Sequence, residues 1–404
     1  MRILLLHNRY QQPGGEDSAF EAEKRLLLDA GHRVVEYSRH NDEIASYGLW
    51  QKATLAPRTL WAWDSYREVR ALLDREKPDI AHFHNIFPLI SPAAYDACRG
   101  ANVPVIQSLH NYRLLCPSAV LMRAGRVCED CLGQGFPGPG LLHACYRGSR
   151  TASVAVAAML GAHKVFRTWT EKADVLVALT EFARQKFIEG GLPARKIVVK
   201  PNFVYPDPWN LKRDWPTANW KSAVEPYALF VGRLSPEKGL RTLVAAWKRL
   251  NISIPLRIVG DGPLRCELAA AVNGSKSVSF EGHMPRDKVL EALVGARFLV
   301  FPSEWYEGLP LTIVEAFACG VPVIASRLGT MAEIVEDGET GLQFTPGDPE
   351  NLAAKVEWAW THPRAMEEMG RAARAEYEAK YTAKRNYQML IGIYRKAAKH
   401  PATA

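Results

Sequence analysis

The 404-residue chain has no apolar run approaching ~18 residues, so nothing in it reads as a membrane-spanning helix. It has no polybasic run and no recognisable nucleic-acid motif, which leaves nucleic acid the weakest of its anionic partners. Sequence repeats and low-complexity tracts are absent. So is any Asp-x-Asp pair, the usual carboxylate arrangement for chelating a divalent ion. The start, MRILLLHN, carries one basic residue and a short apolar run before a histidine. It is expected to be a first strand and not a secretory leader. The seven cysteines are an odd number and, with no export signal, point to a reducing, cytoplasmic setting.

The length exceeds one core of ordinary size, so two domains are expected. Hydrophobic residues make up 48% and charged residues 23%, a normal soluble balance. The net charge of +8 (51 basic against 43 acidic) favours anionic partners, either an acidic membrane surface or a phosphate-bearing small molecule.

Short β-branched runs alternate with helical patterns. Strands are expected at RILLLHN, HRVVEYS, DIAHFHN, VPVIQSLH, DVLVALT and KIVVKPN, then at YALFVGR, LRIVGDG, VSFEGH, FLVFPS and VPVIAS. Such alternation implies parallel sheets with helical crossovers, an α/β doubly wound class. The stretch from Pro201 to Pro226 also holds Pro206, Pro208 and Pro216, a density that no regular element survives. The junction is placed there: 1–205 as one domain, 206–385 as the second, and 386–404 as a last helix packing back toward the first.

SEWYEGLPLTIVEAFACG sets Glu307 and Glu315 in a largely apolar run. Pro310 and Gly320 suit the two ends of a helix of about ten residues, flanked by strands. Both carboxylates then border the helix N-terminus at the carboxyl edge of a sheet, where open α/β sheets bind ligands. Amides at that N-terminus suit a phosphate, and the acids suit the hydroxyls of an adjoining polyol. A solvent-facing Glu315 and a plain loop charge at Glu307 are the bland alternative. FVGRLSPEKG adds Arg233 and Lys238 at the same edge, where two cations can clamp a diphosphate.

These marks, with GGED, IVGDGP, FEGHM and GTMAEIVEDGETGLQF, give the chain its resemblance to retaining glycosyltransferases of the GT-B architecture, family-four (glycosyl transferases group 1) type. The resemblance is specific across the second half and looser in the first. It implies two Rossmann-like domains facing each other across a cleft, an acceptor-binding first and a nucleotide-sugar-binding second. Arg233 and Lys238 would hold the donor diphosphate with the amides of Leu311 and Thr312. Glu315 would accept from ribose hydroxyls. Glu307 would contact the transferred sugar beside Gly308 and Leu309, and main chain around Met284 would read the base. The Gly14–Gly15 loop would face the donor phosphates, although a lone Gly-Gly is more often a plain turn. His110 would lie against the donor sugar as a catalytic residue with Glu307, Arg233 and Lys238, or simply cap a strand end. Asn111 and Tyr112 would look toward the acceptor. Arg9 and Glu16 receive no role. His82 and His84 are read as pointing to opposite faces of their strand, at least one of them buried structure.

The missing Asp-x-Asp implies a diphosphate neutralised by side chains and helix dipoles, with no cofactor required for catalysis. No carboxylate suggests itself as a nucleophile, so front-face attack is the expected route. Cys116, Cys128, Cys131 and Cys145, one pair as C-x-x-C in a Gly/Pro-rich loop, suit a structural zinc; four reduced thiols or a disulfide are the alternatives, and His143 adds a further ligand choice. Trp50, Trp61 and Trp63 among Lys52, Arg58, Arg67 and Arg70 suit a membrane interface. So does an apolar stretch flanked by Arg147, Arg150, Lys164 and Arg167, although core helices with solvated ends fit as well. The expected protein is a cytoplasmic, membrane-peripheral enzyme using a nucleotide diphosphate sugar and a glycan or lipid-linked saccharide in envelope or exopolysaccharide assembly. A sugar-nucleotide epimerase and a donor-binding protein without turnover are the rival readings.

Overall fold

A computed structural model describes residues 1–11, 14–48, 54–209, 225–275 and 277–399. Trp50, Lys52 and Pro216 lie outside the described residues. The chain divides into two compact units. The first comprises Met1–Arg123, Cys128–Asn202 and the chain from Asn386 onward; the second comprises Phe203–Arg385 with Ala124–Val127.

The first unit is built on six parallel strands: β1 (Arg2–Arg9), β2 (Arg33–His40), β3 (Ile80–Phe83), β4 (Val105–Leu109), β5 (Val175–Ala178) and β6 (Ile197–Val199). Their spatial order is β2-β1-β3-β4-β5-β6. The central strands are apolar at nearly every position because crossovers cover both faces of a parallel sheet. Ile3 and Leu5 of β1 join Ile80, Ile106 and Val177 in one core with Phe20 and Leu27 of helix α1 (Gly15–Asp29). The last helix supplies Leu390, Ile391, Tyr394 and Ala397 to that core. Their spacing is that of one helical face.

The second unit repeats the plan with β7 (Ala228–Val231), β8 (Leu256–Val259), β9 (Val278–Gly282), β10 (Phe298–Phe301), β11 (Val323–Ser326) and β12 (Gly341–Phe344), in the order β9-β8-β7-β10-β11-β12. All pairings are parallel. The doubly wound α/β class expected from the alternation is what both units show. Strand β12 is the one member of the two sheets that the sequence reading leaves unmarked. Among the described residues, no helix is long and apolar enough to cross a membrane.

Candidate functional site

In the second sheet β7 is bonded to β8 on one side and to β10 on the other, so the order reverses between β7 and β10. Crossovers leave such a point in opposite directions, and a crevice opens at the carboxyl ends of the two strands. Arg233 follows β7 directly, and Ser303 and Glu307 follow β10. Sequence positions about seventy residues apart therefore meet on one edge.

Lys238 Nζ donates to Glu307 Oε1 over 2.6 Å, and Ser303 Oγ donates to the same oxygen over 2.6 Å. The ammonium also lies over the rings of Trp305 and Phe301, at 5.3 and 5.7 Å. The two loops are held together by backbone. Glu304 N–H donates to the Glu237 carbonyl over 2.9 Å, and Gly239 takes φ +68°. A Cβ on Gly239 would stand 1.8 Å from the Pro302 carbonyl oxygen, so no other residue lets the loops approach this closely. Arg233 is exposed in its turn. The sequence reading gave the cations to phosphate and the acids to hydroxyls; within the structure one of each, Lys238 and Glu307, also pair, since a carboxylate only 6% exposed requires a cation in contact.

Glu315 lies on helix α2 (Leu311–Ala318), capped by Pro310. Burial pushes its carboxyl above the usual range, against the opposing pull of the Arg286 guanidinium, which donates to Oε1 over 3.2 Å. Arg286 also donates to the Tyr205 carbonyl over 2.9 Å. It lies two residues past Met284, in the segment that follows β9, so the turn expected to read a base and the acid expected to hold a ribose are tied by one side chain. The sequence reading missed Arg286, although a cation right after FEGHMP was a visible signal. Leu309 is buried, and the Gly308 carbonyl accepts from Thr330 Oγ1 over 3.1 Å. The first amides of α2, on Leu311 and Thr312, have no preceding turn to bond to and point off its end.

In the first unit Gly14 is the N-cap of α1, and its N–H donates to Asp17 Oδ2 over 2.8 Å. A Cβ on Gly14 or Gly15 would meet nothing closer than 4.0 Å, so packing within the unit does not demand these glycines. Glu16 is half-buried. Its Oε1 accepts from Asn111 Nδ2, while its Oε2 is buried with no hydrogen-bond partner among the described residues. Burial raises its pKa against that bond. Tyr112 corrects an expectation: it is 1% exposed, stacked on Phe187 at 5.5 Å, and offers no face to an acceptor.

His82 and His84 correct another. They share one face, with ring centroids 4.5 Å apart, because side chains two apart along a strand point the same way. Both approach Glu23 Oε1, at 2.9 and 3.3 Å, and Lys200 Nζ donates to Glu23 Oε2 over 3.0 Å. Burial pushes the Glu23 carboxyl up, but the Lys200 ammonium, then His82 and His84, outweigh it and hold it well below the usual range. Among the described residues, Glu23, His82 and His84 are the one set of three ligand-type groups with donor atoms within 4.8 Å of one another. Lys200 already supplies their cation. His84 Nδ1 lies 2.9 Å from His110 Nε2, with the rings stacked at 5.1 Å. Glu23 was legible as an anomaly: it sits between Phe20 and Leu27 on the apolar face of α1.

Two of the four cysteines, Cys131 and Cys145, are bonded to Gly140. Its N–H bonds the Cys131 sulfur, its carbonyl accepts from Cys145 N–H over 2.9 Å, and its Cα packs on Pro117, beside Cys116. All four are free thiols and stand farther apart than the Glu23 set. Burial pushes the Cys131 thiol up to about 11. Trp61, Trp63 and Tyr66 form an aromatic cluster in which Trp63 is 62% exposed. Leu142, Val165 and Phe166 are also exposed, with Arg147, Arg150, Lys164 and Arg167 near them in the chain. Arg58 is drawn instead into a pair with Asp64.

Two doubly wound sheets with charged residues at the carboxyl edge of a switch point define the class: the fold is GT-B. The group described as glycosyl transferases group 1 matches residues 213–376, and the glycosyl transferase 4-like domain matches residues 18–202. The chain is 35% identical over 170 residues to the D-rhamnosyltransferase WbpZ of Pseudomonas aeruginosa, covering 41% of this chain and 44% of that one. It is 33% identical over 186 residues to the sulfoquinovosyl transferase SQD2 of Arabidopsis thaliana, covering 44% and 36%. It thus spans less than half the length of these curated relatives. Among solved structures, Anabaena HepE in complex with UDP and glucose superposes with a TM-score of 0.65 at 18% identity, covering 98% of this chain and all of that one. A sucrose-phosphate synthase from Thermosynechococcus elongatus gives 0.71 at 20%, covering 98% of each. Fold and family matches together support a GT-B glycosyltransferase.

Proposed function

We propose that this protein transfers a sugar from a nucleoside diphosphate sugar to a hydroxyl of a glycan or lipid-linked saccharide, with retention at the anomeric carbon. The observation that carries the reading is the pairing of acids and cations at the switch point of the second sheet: Lys238 with Glu307 and Arg286 with Glu315, flanking the start of α2. Arg233, Lys238 and the free amides of Leu311 and Thr312 offset the diphosphate charge. Glu307 and Glu315 accept from sugar and ribose hydroxyls. His110 lies against the donor sugar, and Asn111 serves the acceptor.

In the proposed chemistry the bond from the anomeric carbon to the phosphate oxygen breaks while the acceptor oxygen bonds the same face. The departing phosphate takes the acceptor proton, and protein side chains carry the charge without a divalent ion. Trapping a covalent glycosyl-enzyme during turnover would falsify this route. We further propose that Cys116, Cys128, Cys131 and Cys145 close on a structural zinc, and that Trp63, Phe166 and the neighbouring cations meet an anionic, cytoplasm-facing membrane.

The test of function is a panel of nucleotide sugars scored by thermal shift, led by UDP-glucose because HepE is solved with UDP-glucose. Binding is expected to raise Tm, and turnover with chelator present to yield an α-linked product from an α-linked donor. Conversion of donor alone into an isomer would mark an epimerase instead. Donor binding without hydrolysis or transfer would mark a protein that only binds.

A further inference from the structure

Lys200, Glu23 and His84, the buried chain behind His110, have no place in the chemistry above, yet they bear on what His110 can do. Its first link is an ion pair: Lys200 and Glu23 are 2% and 3% exposed, with Nζ and Oε2 3.0 Å apart. Asn386 Oδ1 takes a second hydrogen from the ammonium over 3.0 Å. Two charges this deep persist only as a bonded pair. The pair is closed, so the rings beyond it need carry no charge. Burial, then the neighbouring His82, pushes His84 down to about 3, and burial, then His84 and His7, pushes His110 well below its ordinary value.

A neutral imidazole has one N–H, and its position follows from what the ring faces. The other carboxylate oxygen, Glu23 Oε1, stands 3.3 Å from His84 Nε2, a charge contact off the line of a hydrogen bond that leaves both atoms without a hydrogen-bond partner among the described residues. A bare ring nitrogen there would set two lone pairs against each other, so Nε2 carries the hydrogen and Nδ1 is left bare. His84 Nδ1 is 2.9 Å from His110 Nε2. A bare nitrogen must be met by a donor, so the hydrogen of His110 lies on Nε2. His110 Nδ1 is then bare as well, and it is buried with no hydrogen-bond partner among the described residues.

We infer that Glu23 and His84 are positioning residues that hold His110 as the neutral Nε2–H tautomer, so that Nδ1 is presented as a fixed acceptor for a hydroxyl of the sugar ligand. The assignment of that hydroxyl to a sugar rests on the function proposed above; the tautomer does not. His110 is then no cation for phosphate. It selects a group that can donate. Of the other rings, His82 shares the Glu23 carboxylate with His84, its Nδ1 lying 2.9 Å from Oε1. His82 Nε2 faces Ser108 Oγ at 2.9 Å and its Nδ1 faces Tyr394 Oη at 2.7 Å, while His7 Nε2 faces Asp17 Oδ1 at 2.9 Å.

The experiment is a long-range proton–nitrogen spectrum of the full chain labelled with 15N-histidine, at pH 7 and without ligand, the His110 signals being assigned by their loss in His110→Gln. The expected pattern is a protonated Nε2 and a bare Nδ1. A proton on Nδ1, or on both nitrogens, overturns the inference. Two variants separate positioning from packing. In His84→Asn the amide oxygen can stand where Nδ1 stood, and the pattern is expected to survive. In His84→Phe the ring shape is kept without an acceptor, and a mixture of tautomers is expected. An unchanged His110 in folded His84→Phe overturns the inference too. If His84→Phe fails to fold, loss of the pattern in folded His84→Asn plays the same part. None of these readouts uses turnover, so failure of the glycosyltransfer assay is a separate result.

Discussion

Glu307 Oε1 accepts from both Lys238 Nζ and Ser303 Oγ, each over 2.6 Å. Its cation and its orientation are thus already in place, which would lower the ordering cost of the binding proposed for this acid.

Lys238→Met removes the cation from a carboxylate that stays buried. We expect a loss of about 2 kcal/mol in urea unfolding, less than for a fully buried pair because the lysine is partly exposed. The thermal shift produced by UDP-glucose should vanish. Retention of that shift at wild-type size would separate Lys238 from donor binding.

Gly239→Ala places a methyl against the Pro302 carbonyl at a positive φ. A loss of about 3 kcal/mol is expected from strain and displacement together. Gly347 has φ +73° but nothing within 4 Å of its Cβ, so Gly347→Ala should cost only about 1 kcal/mol. Equal costs by denaturant melts would show that the approach of the two loops adds nothing.

The acid side of the stability profile should be steep. His84 and His163 are held down to about 3 and about 4, His163 chiefly by burial, whereas the unfolded residues titrate near 6.5. The unfolded chain binds more protons between these values. Stability is therefore complete above about pH 6.5 and falls on acidification, by up to about 1.4 kcal/mol per pH unit per histidine. His84→Asn should lower the slope of urea midpoint against pH between 6 and 5. An unchanged slope would show that His84 takes up no proton on unfolding.

Zinc is expected at about one equivalent in protein purified without chelator, from the four-thiolate stoichiometry of such sites. Cys131→Ser should abolish it and lower Tm. Metal-free protein whose seven thiols all react with Ellman's reagent after unfolding would leave the four as ordinary reduced cysteines, and fewer than seven reactive thiols would indicate a disulfide.

Neutralising Arg147, Arg150 and Arg167 together should weaken sedimentation with vesicles rich in anionic lipid by about a hundredfold, on the order of 1 kcal/mol per charge. Partitioning that does not change would remove the membrane from the proposal.

The strand pattern was legible because short β-branched runs between helical stretches are a local signal. Strand β12 escaped because TGLQF opens on glycine and carries a polar residue at its centre. The two glutamates of the second half were legible as charges in an apolar run, and Glu23 carried the same signal on α1. Tyr112 was carried along with His110 and Asn111 by the resemblance, and nothing in the sequence marks a buried tyrosine beside them.

Periodicity and end signals are properties of ten or twenty consecutive residues, so the sequence alone determined that two parallel α/β layers form and which edge of the second carries its charged groups. Only the tertiary structure decided who meets whom. Lys238 finds Glu307 at a separation of 69 residues, and Lys200 finds Glu23 at 177. Strand order sets such pairings, since the winding reverses where β7 meets β10 and the last helix folds onto β1 and β3. A buried acid must take the cation that packing brings within 3 Å of it, and no local pattern records which one that is.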